Sequence, residues 1–151
     1  MEKSKTPLRG SWLFMAAGLL ALTGITACED LLTEQPGDPR DRLVDTWKVE
    51  ETVGGVMKSV LEPYWVEIRK HPYDSTRVLI DNFYNVDDRA EAILSGNTLT
   101  LPQQTLEGGF SVRGTGQLQG TKPNEIIWTY RVDDGSGTEE NYTAVYTRLT
   151  F

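Results

Sequence analysis

Residues 126–132 read IIWTYRV, and every second residue of this stretch is large and apolar. Successive side chains of a β-strand point to opposite faces, so the alternation predicts a strand with one buried face. That face carries Ile126, Trp128, Tyr130 and Val132. The following residues are Asp, Gly and Ser, which are typical of a turn.

Short runs rich in aromatic and β-branched residues, separated by turn residues, extend in both directions from this strand. The other expected strands lie within 43–53, 57–61, 64–69, 76–83, 89–94, 98–101, 110–118 and 142–151. No sustained helical period is present. About eight strands with hairpin-length connections predict an all-β fold, an antiparallel up-and-down β-barrel whose closure removes exposed edges.

Turn and glycine positions sharpen this prediction. Ser95-Gly96-Asn97 marks the clearest hairpin, because Gly and Asn tolerate the positive φ that a tight turn requires. Gly114 and Gly116 interrupt the strand within 110–118. Glycines inside a strand indicate a bend or a close approach of a neighbouring segment.

Four segments resemble the calycin-like, or lipocalin-like, domains of Bacteroides-type lipoproteins. They are 46–51, 80–85, 95–104 and 128–135. The resemblance covers residues 43–151 and implies a single eight-stranded calycin-like barrel. These motifs imply no chemistry of their own.

The first strand departs from the lipocalin pattern. Lipocalins open with Gly-x-Trp, in which the tryptophan plugs the barrel floor, whereas this chain has Asp45-Thr46-Trp47. The tryptophan is retained and the glycine is absent. The resemblance further implies that Arg148 stacks on Trp47 through a cation–π contact, as an arginine does in lipocalins.

The first 27 residues have the anatomy of a secretory signal, with basic residues ahead of an apolar run. The run ends in Ile25-Thr26-Ala27-Cys28, which resembles the bacterial lipobox. That resemblance implies a diacylglycerol on the Cys28 thiol, cleavage before Cys28 and acylation, with palmitate for example, of the new amino terminus. The alternatives are an ordinary secretory signal or one transmembrane helix, although the run is shorter than the roughly 20 residues that a spanning helix needs.

Residues 28–42 are charged and contain two prolines, and we expect them to form an acidic, flexible tether. Glu29 and Asp30 follow the cysteine directly. An acidic segment at this place resembles the signal that exports Bacteroides-type lipoproteins to the outer face of the cell. The sequence therefore predicts a cell-envelope protein, anchored in the outer membrane through Cys28 and exposed on the surface. The alternative is a domain that faces the periplasm.

Charge limits the classes of partner. The formal net charge is −7, and the first 27 residues contribute three basic side chains and one glutamate, which leaves −9 for the remainder. This acidity argues against nucleic acid, whose phosphates require clusters of Lys and Arg. It also argues against a protein surface that binds anionic lipid, so membrane contact depends on the lipid at Cys28.

The inventory of catalytic and metal-binding residues is thin. His71 is the only histidine and Cys28 the only cysteine, which excludes a three-histidine or Cys₂His₂ zinc site within one chain. The sequence has neither a nucleophile elbow nor a histidine pair. The acidic segment 133–140 lacks the ligand spacing of an EF-hand, so we expect a solvated hairpin there. We predict a protein that is not an enzyme and holds no cofactor or metal.

Aromatic residues are the remaining candidates for a binding site. They are Trp47, Tyr64, Trp65, Trp128 and Tyr130, with Tyr142 and Tyr146 on the last strand. Such residues either line a cavity for a small apolar or saccharide ligand or fill the core, since an eight-stranded barrel is just wide enough for either. Core positions are the commoner outcome.

One of these aromatics is expected on the outside. Trp65 shares a strand face with Glu67 and Arg69, so it would serve as an outer platform. The sequence thus predicts a non-enzymatic, lipid-anchored binding domain whose ligand is unknown. The alternative is a structural or accessory subunit of an envelope protein complex that uses an outer face of the barrel.

Overall fold

The structure, a computed structural model, describes residues 37–54 and 62–149. In this part of the chain the strands are β1 (Asp45–Val53), β2 (Tyr64–Lys70), β3 (Arg77–Asp81), β4 (Arg89–Ser95), β5 (Thr98–Thr105), β6 (Ser111–Leu118), β7 (Glu125–Asp133) and β8 (Glu139–Arg148). Two 3₁₀ helices, Phe83–Asn85 and Glu107–Gly109, lie in the β3–β4 and β5–β6 connections. The strand expected at 57–61, the signal segment and Cys28 lie outside the described residues.

Each strand pairs antiparallel with the next, and β8 returns to β1 to close the barrel. The closing seam runs from Trp47 opposite Arg148 to Val53 opposite Tyr142. Closure satisfies the backbone groups that an open sheet would present to other chains. The predicted all-β, up-and-down, calycin-like barrel of eight strands is confirmed.

The interior follows the alternation that the sequence predicts. Ile126, Trp128, Tyr130 and Val132 all point inward and are at most 3% exposed. Phe83 packs against two of them, with its ring centroid 6.1 Å from that of Trp128 and 5.2 Å from that of Tyr130. Aromatic side chains therefore fill the middle of the barrel.

Close packing explains the two strand glycines. A Cβ atom at Gly116 would lie 2.7 Å from the indole of Trp128, and one at Gly114 would lie 2.4 Å from the Cβ of Tyr130. Both glycines stand directly opposite these residues across the β6–β7 ladder. The predicted close approach is confirmed, since only glycine leaves room for these aromatics.

Strand β3 is shorter than predicted. It ends at Asp81, and Asn82 then adopts left-handed backbone angles with φ 62°. The Asn82 side-chain amide donates a hydrogen bond to the Trp65 carbonyl at 2.8 Å, which holds the bend. Phe83, predicted as a strand residue, instead begins a 3₁₀ helix and turns fully into the core.

Strand β8 is displaced toward the amino terminus of its predicted range. It begins at Glu139, because that residue still pairs with Asp133 of β7 across the hairpin. It ends at Arg148, whose backbone N–H donates to the Asn124 carbonyl. The prediction placed the strand at 142–151, because the acidic residues before Tyr142 resemble a loop.

The last part of the predicted tether packs on the barrel. Residues 37–42 lie mostly in turns, and Arg40 is only 8% exposed. Its guanidinium binds the Asp38 carboxylate and donates to the carbonyls of His71 and Asp74 at 3.0 and 2.7 Å. A buried cation needs such partners. The compact unit therefore starts before the expected boundary at residue 43.

Candidate functional site

The up-and-down topology gives the barrel two distinct ends. We call the end that carries the β1–β2, β3–β4, β5–β6 and β7–β8 connections the open end. We call the other end, which carries the remaining connections and the turns of residues 37–42, the closed end. Side chains at the two ends differ in how completely their polar atoms are satisfied.

The closed end is built around Trp47. This side chain is fully buried, and its indole N–H donates to the Leu43 carbonyl at 3.0 Å. The guanidinium carbon of Arg148 lies 4.7 Å from the indole centroid, which confirms the predicted stacking. Arg148 also donates to Asp45 at 2.9 Å and to the Pro123 carbonyl at 3.2 Å.

The open end contains a buried carboxylate. Trp47, Val49 and Glu51 follow one another on the inward face of β1, and Glu51 is only 3% exposed. The hydroxyls of Tyr64 and Tyr130 both donate to the same Glu51 oxygen, Oε1. Burial raises the pKa of Glu51, and the two tyrosine hydrogen bonds oppose that rise. The carboxyl group is therefore held in place but poorly solvated.

A second tyrosine chain lies beside the first. Tyr84 donates to the hydroxyl of Tyr142 at 2.7 Å, and Tyr142 donates to Glu140 at 2.9 Å. The Tyr142 ring stacks on that of Tyr130, with centroids 5.5 Å apart and an interplanar angle of 7°. The Tyr84 ring meets the Tyr142 ring edge-on at 5.2 Å. This contact network ties the rim of the barrel to the tyrosine that binds Glu51.

Two buried donors deeper in the barrel have no hydrogen-bond partner within the described residues. They are the indole nitrogen of Trp128 and the hydroxyl of Tyr146, and both side chains are fully buried. Their rings pack together with centroids 5.8 Å apart. An unsatisfied buried polar group lowers the stability of the fold by about 1–3 kcal/mol, so both donors are expected to be destabilising.

The loop that presents Tyr84 is under backbone strain. Asn82, Tyr84, Asn85 and Asp87 all have φ between 55° and 62°, in the left-handed region. Asparagine and aspartate tolerate this region, whereas a bulky residue such as tyrosine rarely enters it. Strain of this kind is concentrated at functional sites, because the surrounding structure has to impose it.

Two cavities open beside Tyr84. One, which we call the mouth cavity, has a volume of about 310 Å³. It is lined by Glu51, Glu62, Tyr64, Tyr84 and Asn85. The second has a volume of about 170 Å³, and Phe110, Glu140 and Tyr142 contribute to its lining. The mouth cavity has the size of a small-ligand site, with a buried carboxyl group in its wall.

A larger groove, of about 560 Å³, lies at the closed end between residues 37–42 and the β6–β7 connection. Among the described residues, its charged lining consists of Asp38, Asp41, Arg42, Lys122 and Arg148, of which Lys122 is exposed to solvent. Both guanidinium groups already donate to protein acceptors, Arg42 to Asn97 at 2.9 Å and Arg148 to Asp45. We therefore place the candidate site at the mouth cavity, where the described residues supply hydrogen bonds to only one oxygen of a buried carboxyl group.

The structure separates the aromatics that the sequence singled out. Tyr64 and Tyr130 contact Glu51, whereas Trp47 belongs to the closed end and Trp128 to the central core. Trp65 is 53% exposed on the outer wall, as predicted from its neighbours on β2. All five residues lie on strands, so the strand pattern alone determines which face each one occupies.

Two residues of the site were missed by the sequence analysis. Glu51 lies two positions after Val49 on the inward face of β1, so the period of two would have found it. A glutamate is not expected at a core position, because carboxylates are rarely buried. The position of the Tyr84 side chain depends on the turn after β3, and no local sequence pattern predicts that turn.

The remaining polar candidates have local structural roles. The Nδ1 atom of His71 accepts the backbone N–H groups of Tyr73 and Asp74 at 3.2 and 3.0 Å. Asp133 accepts the N–H groups of Gly135 and Gly137 in the β7–β8 turn. Across 37–54 and 62–149, no cluster of three or more His, Cys, Asp or Glu side chains is arranged to hold a metal. In the same ranges no helix has the length and apolar character needed to cross a membrane.

Comparison with known proteins adds a fold neighbour. No family model matches the chain, and no curated protein matches it. A solved structure described as "Structure of EF1p2_mFAP2b bound to DFHBI" is similar to it, with 13% sequence identity and a TM-score of 0.49. The match covers 74% of this chain and 98% of that one. We draw nothing about function from a likeness at this level.

Proposed function

We propose that this protein is a lipid-anchored, non-enzymatic protein of the cell envelope whose barrel binds a small ligand at its open end. The observation that carries the proposal is the Glu51 carboxyl group, buried in the wall of the mouth cavity with one oxygen bonded to two tyrosines. A group that costs stability without a complete set of partners is expected where a ligand supplies the rest.

The strained loop supports the same site. Tyr84 holds an unfavourable backbone conformation and lines both cavities at the open end. The Tyr84 hydroxyl donates a hydrogen bond to the Tyr142 hydroxyl, so the ring is already held in position without a ligand. Such preorganisation lowers the cost of binding.

The alternative role, an accessory subunit that docks through the outer wall, is supported by the exposure of Trp65. The other large apolar side chains that are exposed in the described ranges are Val44, Tyr73 and Ile127. They lie on separate elements: before β1, in the β2–β3 connection and on β7. We favour the cavity because its polar groups converge on one point.

Ligand binding is tested with four small probes of different chemistry: phenethyl alcohol, phenethylamine, phenylpropionate and methyl β-glucoside. We expect at least one to shift the amide NMR signals of Gly54 and Asn85, which flank the open end, and to leave Gly96 at the closed end unmoved. Tyr84→Gly removes the ring and suits the left-handed backbone, so it should weaken that binding.

The matched control is Tyr73→Ala, because Tyr73 is 94% exposed in a connection at the closed end. This variant should bind the probes as the unmodified protein does. If no probe moves the signals of Gly54 or Asn85, or if Tyr84→Gly binds as well as Tyr73→Ala, the open end is not a ligand site.

The anchor is proposed from the lipobox ending at Cys28. Cys28→Ser should abolish labelling by a fatty-acid probe and leave an uncleaved or mis-sorted precursor. A mutant that labels as well as the unmodified protein contradicts the lipoprotein assignment. This test is independent of the barrel.

We also propose that the domain faces outward, because Glu29 and Asp30 follow the cysteine. Protease added to intact cells should then digest the domain, and replacing both acidic residues by alanine should restore protection. Digestion that requires permeabilisation of the outer membrane would place the domain in the periplasm.

A further inference from the structure

Within the described residues, the Glu51 carboxyl group receives hydrogen bonds on only one of its two oxygens. Both tyrosine hydroxyls donate to Oε1, and no described residue donates a hydrogen bond to Oε2. When the group is ionised, Oε2 requires a donor or a cation. Glu51 is only 3% exposed and forms part of the cavity wall, so its carboxyl group borders the space that a ligand would occupy.

Tyrosine rings line the cavities at the open end. Tyr64 and Tyr84 line the mouth cavity with Glu51, and Tyr142 lines the cavity on the far side of Tyr84. Aromatic faces carry negative partial charge and attract ammonium groups within about 6 Å of the ring centroid. A carboxylate bordered by phenol rings is therefore suited to an organic cation.

The charged side chains among the described residues that line the two open-end cavities are all acidic. Glu51 and Glu62 line the mouth cavity, and Asp134 and Glu140 line the cavity beside it. No described basic side chain lines either one. The bases on the nearby outer wall include Arg113, which is paired with Glu139 at 2.8 Å. An anionic ligand would be repelled here.

From these observations we propose that the mouth cavity selects a small organic amine, with the Glu51 carboxylate as its counter-ion and the rim tyrosines around its apolar body. This inference rests on the ligand-binding role proposed above and names the class of ligand. Neutral apolar compounds and saccharides would bind less well, because neither supplies a positive charge to Glu51.

Protonation should compete with the amine. Among the described residues, the titratable groups around Glu51 are Tyr64 on β2, Tyr130 on β7, Tyr146 on β8, Tyr84 on the first 3₁₀ helix and Glu62 before β2. Burial raises the pKa of Tyr64, Tyr84, Tyr130 and Tyr146, so these phenols stay neutral when the carboxyl group titrates. Amine affinity should therefore rise with pH as Glu51 loses its proton.

The test compares three probes of one shape: phenethylamine, phenethyl alcohol and phenylpropionate. On the unmodified protein at pH 8, we expect phenethylamine to bind at least about tenfold more tightly than the alcohol, and phenylpropionate to bind most weakly. The ranking of the three affinities is measured on the unmodified protein alone. Equal affinities for the amine and the alcohol would overturn the inference while leaving a ligand site in place.

Two variants then assign the effect to Glu51. Glu51→Gln keeps the shape and an acceptor for the tyrosines, and it should reduce phenethylamine affinity to about that of the alcohol. Its affinity for the alcohol should fall much less than its affinity for the amine, which shows that the cavity is intact. Glu67→Gln, on the exposed face of β2, should leave all three affinities within about twofold of the unmodified protein.

The outcomes separate the two proposals. If Glu51→Gln and Glu67→Gln bind the amine equally well, the counter-ion assignment is wrong although the ligand site stands. If none of the three probes moves the amide signals of Gly54 or Asn85, and methyl β-glucoside also fails, both the ligand site and the amine inference are wrong.

Discussion

The two ends of the barrel use aromatic and charged side chains in opposite ways. At the closed end, Trp47 and Arg148 stack, and both find hydrogen-bond acceptors. At the open end, both described hydrogen bonds of Glu51 go to one carboxylate oxygen. Deeper in the barrel, Trp128 and Tyr146 keep donors that no described residue pairs. The closed end therefore holds the barrel together, whereas the open end retains polar capacity at a cost in stability.

This contrast indicates where selection for stability and selection for function act. Polar groups that serve only the fold are satisfied in most cases, since each unsatisfied one weakens a domain whose total stability is about 5–15 kcal/mol. Groups left incomplete in a buried position indicate a role that the fold alone does not explain. Substitutions at one end at a time test whether the two ends differ in this way.

The largest effect should come from the closed end. Trp47→Ala removes a fully buried indole and the ring under Arg148, and it should lower the free energy of unfolding by about 3–5 kcal/mol. Urea titration measures this. The matched control is Trp65→Ala, in which a half-exposed indole is removed and a much smaller loss is expected. Equal losses would mean that the closed end is no more structural than the outer wall.

The next effect concerns Arg40. Arg40→Ala removes a buried cation that binds Asp38 and three backbone carbonyls, and it should cost about 2 kcal/mol at neutral pH. Arg131→Ala, in an exposed arginine, should cost less than about 0.5 kcal/mol and serves as control. If Arg40→Ala costs as little as Arg131→Ala, residues 37–42 do not stabilise the barrel and belong to the flexible tether.

The Asp38–Arg40 pair also predicts a pH dependence. The hydrogen bonds from Arg40 hold the pKa of Asp38 well below its usual range. The pair therefore contributes its full stability above about pH 4, the ordinary aspartate value, and loses it as the pH falls toward the lowered pKa. Arg40→Ala should flatten this acid limb of the stability profile.

The open end should respond with the opposite sign. Glu51→Gln should raise the free energy of unfolding by about 1 kcal/mol at pH 8, because it removes a buried charge. The raised pKa of Glu51 means that its penalty is absent at low pH and grows as the pH rises through that pKa. The gain should vanish near pH 4. A loss of stability at pH 8 would show that the carboxylate is structural.

The smallest effect distinguishes two tyrosines that differ in hydrogen bonding. Tyr146→Phe removes a hydroxyl that has no described partner, so unfolding free energy should rise by a few tenths of a kcal/mol, or about 0.5 at most. Tyr130→Phe removes a hydroxyl that donates to Glu51 and should cost about 1 kcal/mol. Equal costs would indicate that the Tyr146 hydroxyl has a structural partner after all.

Much of the fold could be predicted from local patterns. The period of two in 126–132 and the turn at Gly96 place strands without any knowledge of the partners, and lipocalin resemblance placed Arg148 against Trp47. The burial of Arg40 could not be predicted in this way. Apart from Asp38, its acceptors in the β2–β3 connection lie more than 30 residues away.

The candidate site was harder to predict for the same physical reason. Tyr64 and Tyr130 were identified as candidates, but the residue that gives them a common role is Glu51 on a third strand. Tyr84 reaches the cavity only because Asn82 leaves the strand direction and is held by the Trp65 carbonyl. Binding sites depend on such convergence, whereas strands depend on neighbours in sequence.

The most direct test is the titration of the Glu51 carboxyl carbon by NMR in the full chain, with and without phenethylamine. We predict a midpoint above the ordinary glutamate value of about 4.3 in the free protein, because the group is buried. Phenethylamine should shift that midpoint downward, because a bound cation favours the ionised form. A free-protein midpoint at the ordinary value, or one that phenethylamine leaves unchanged, would contradict a buried counter-ion at the open end.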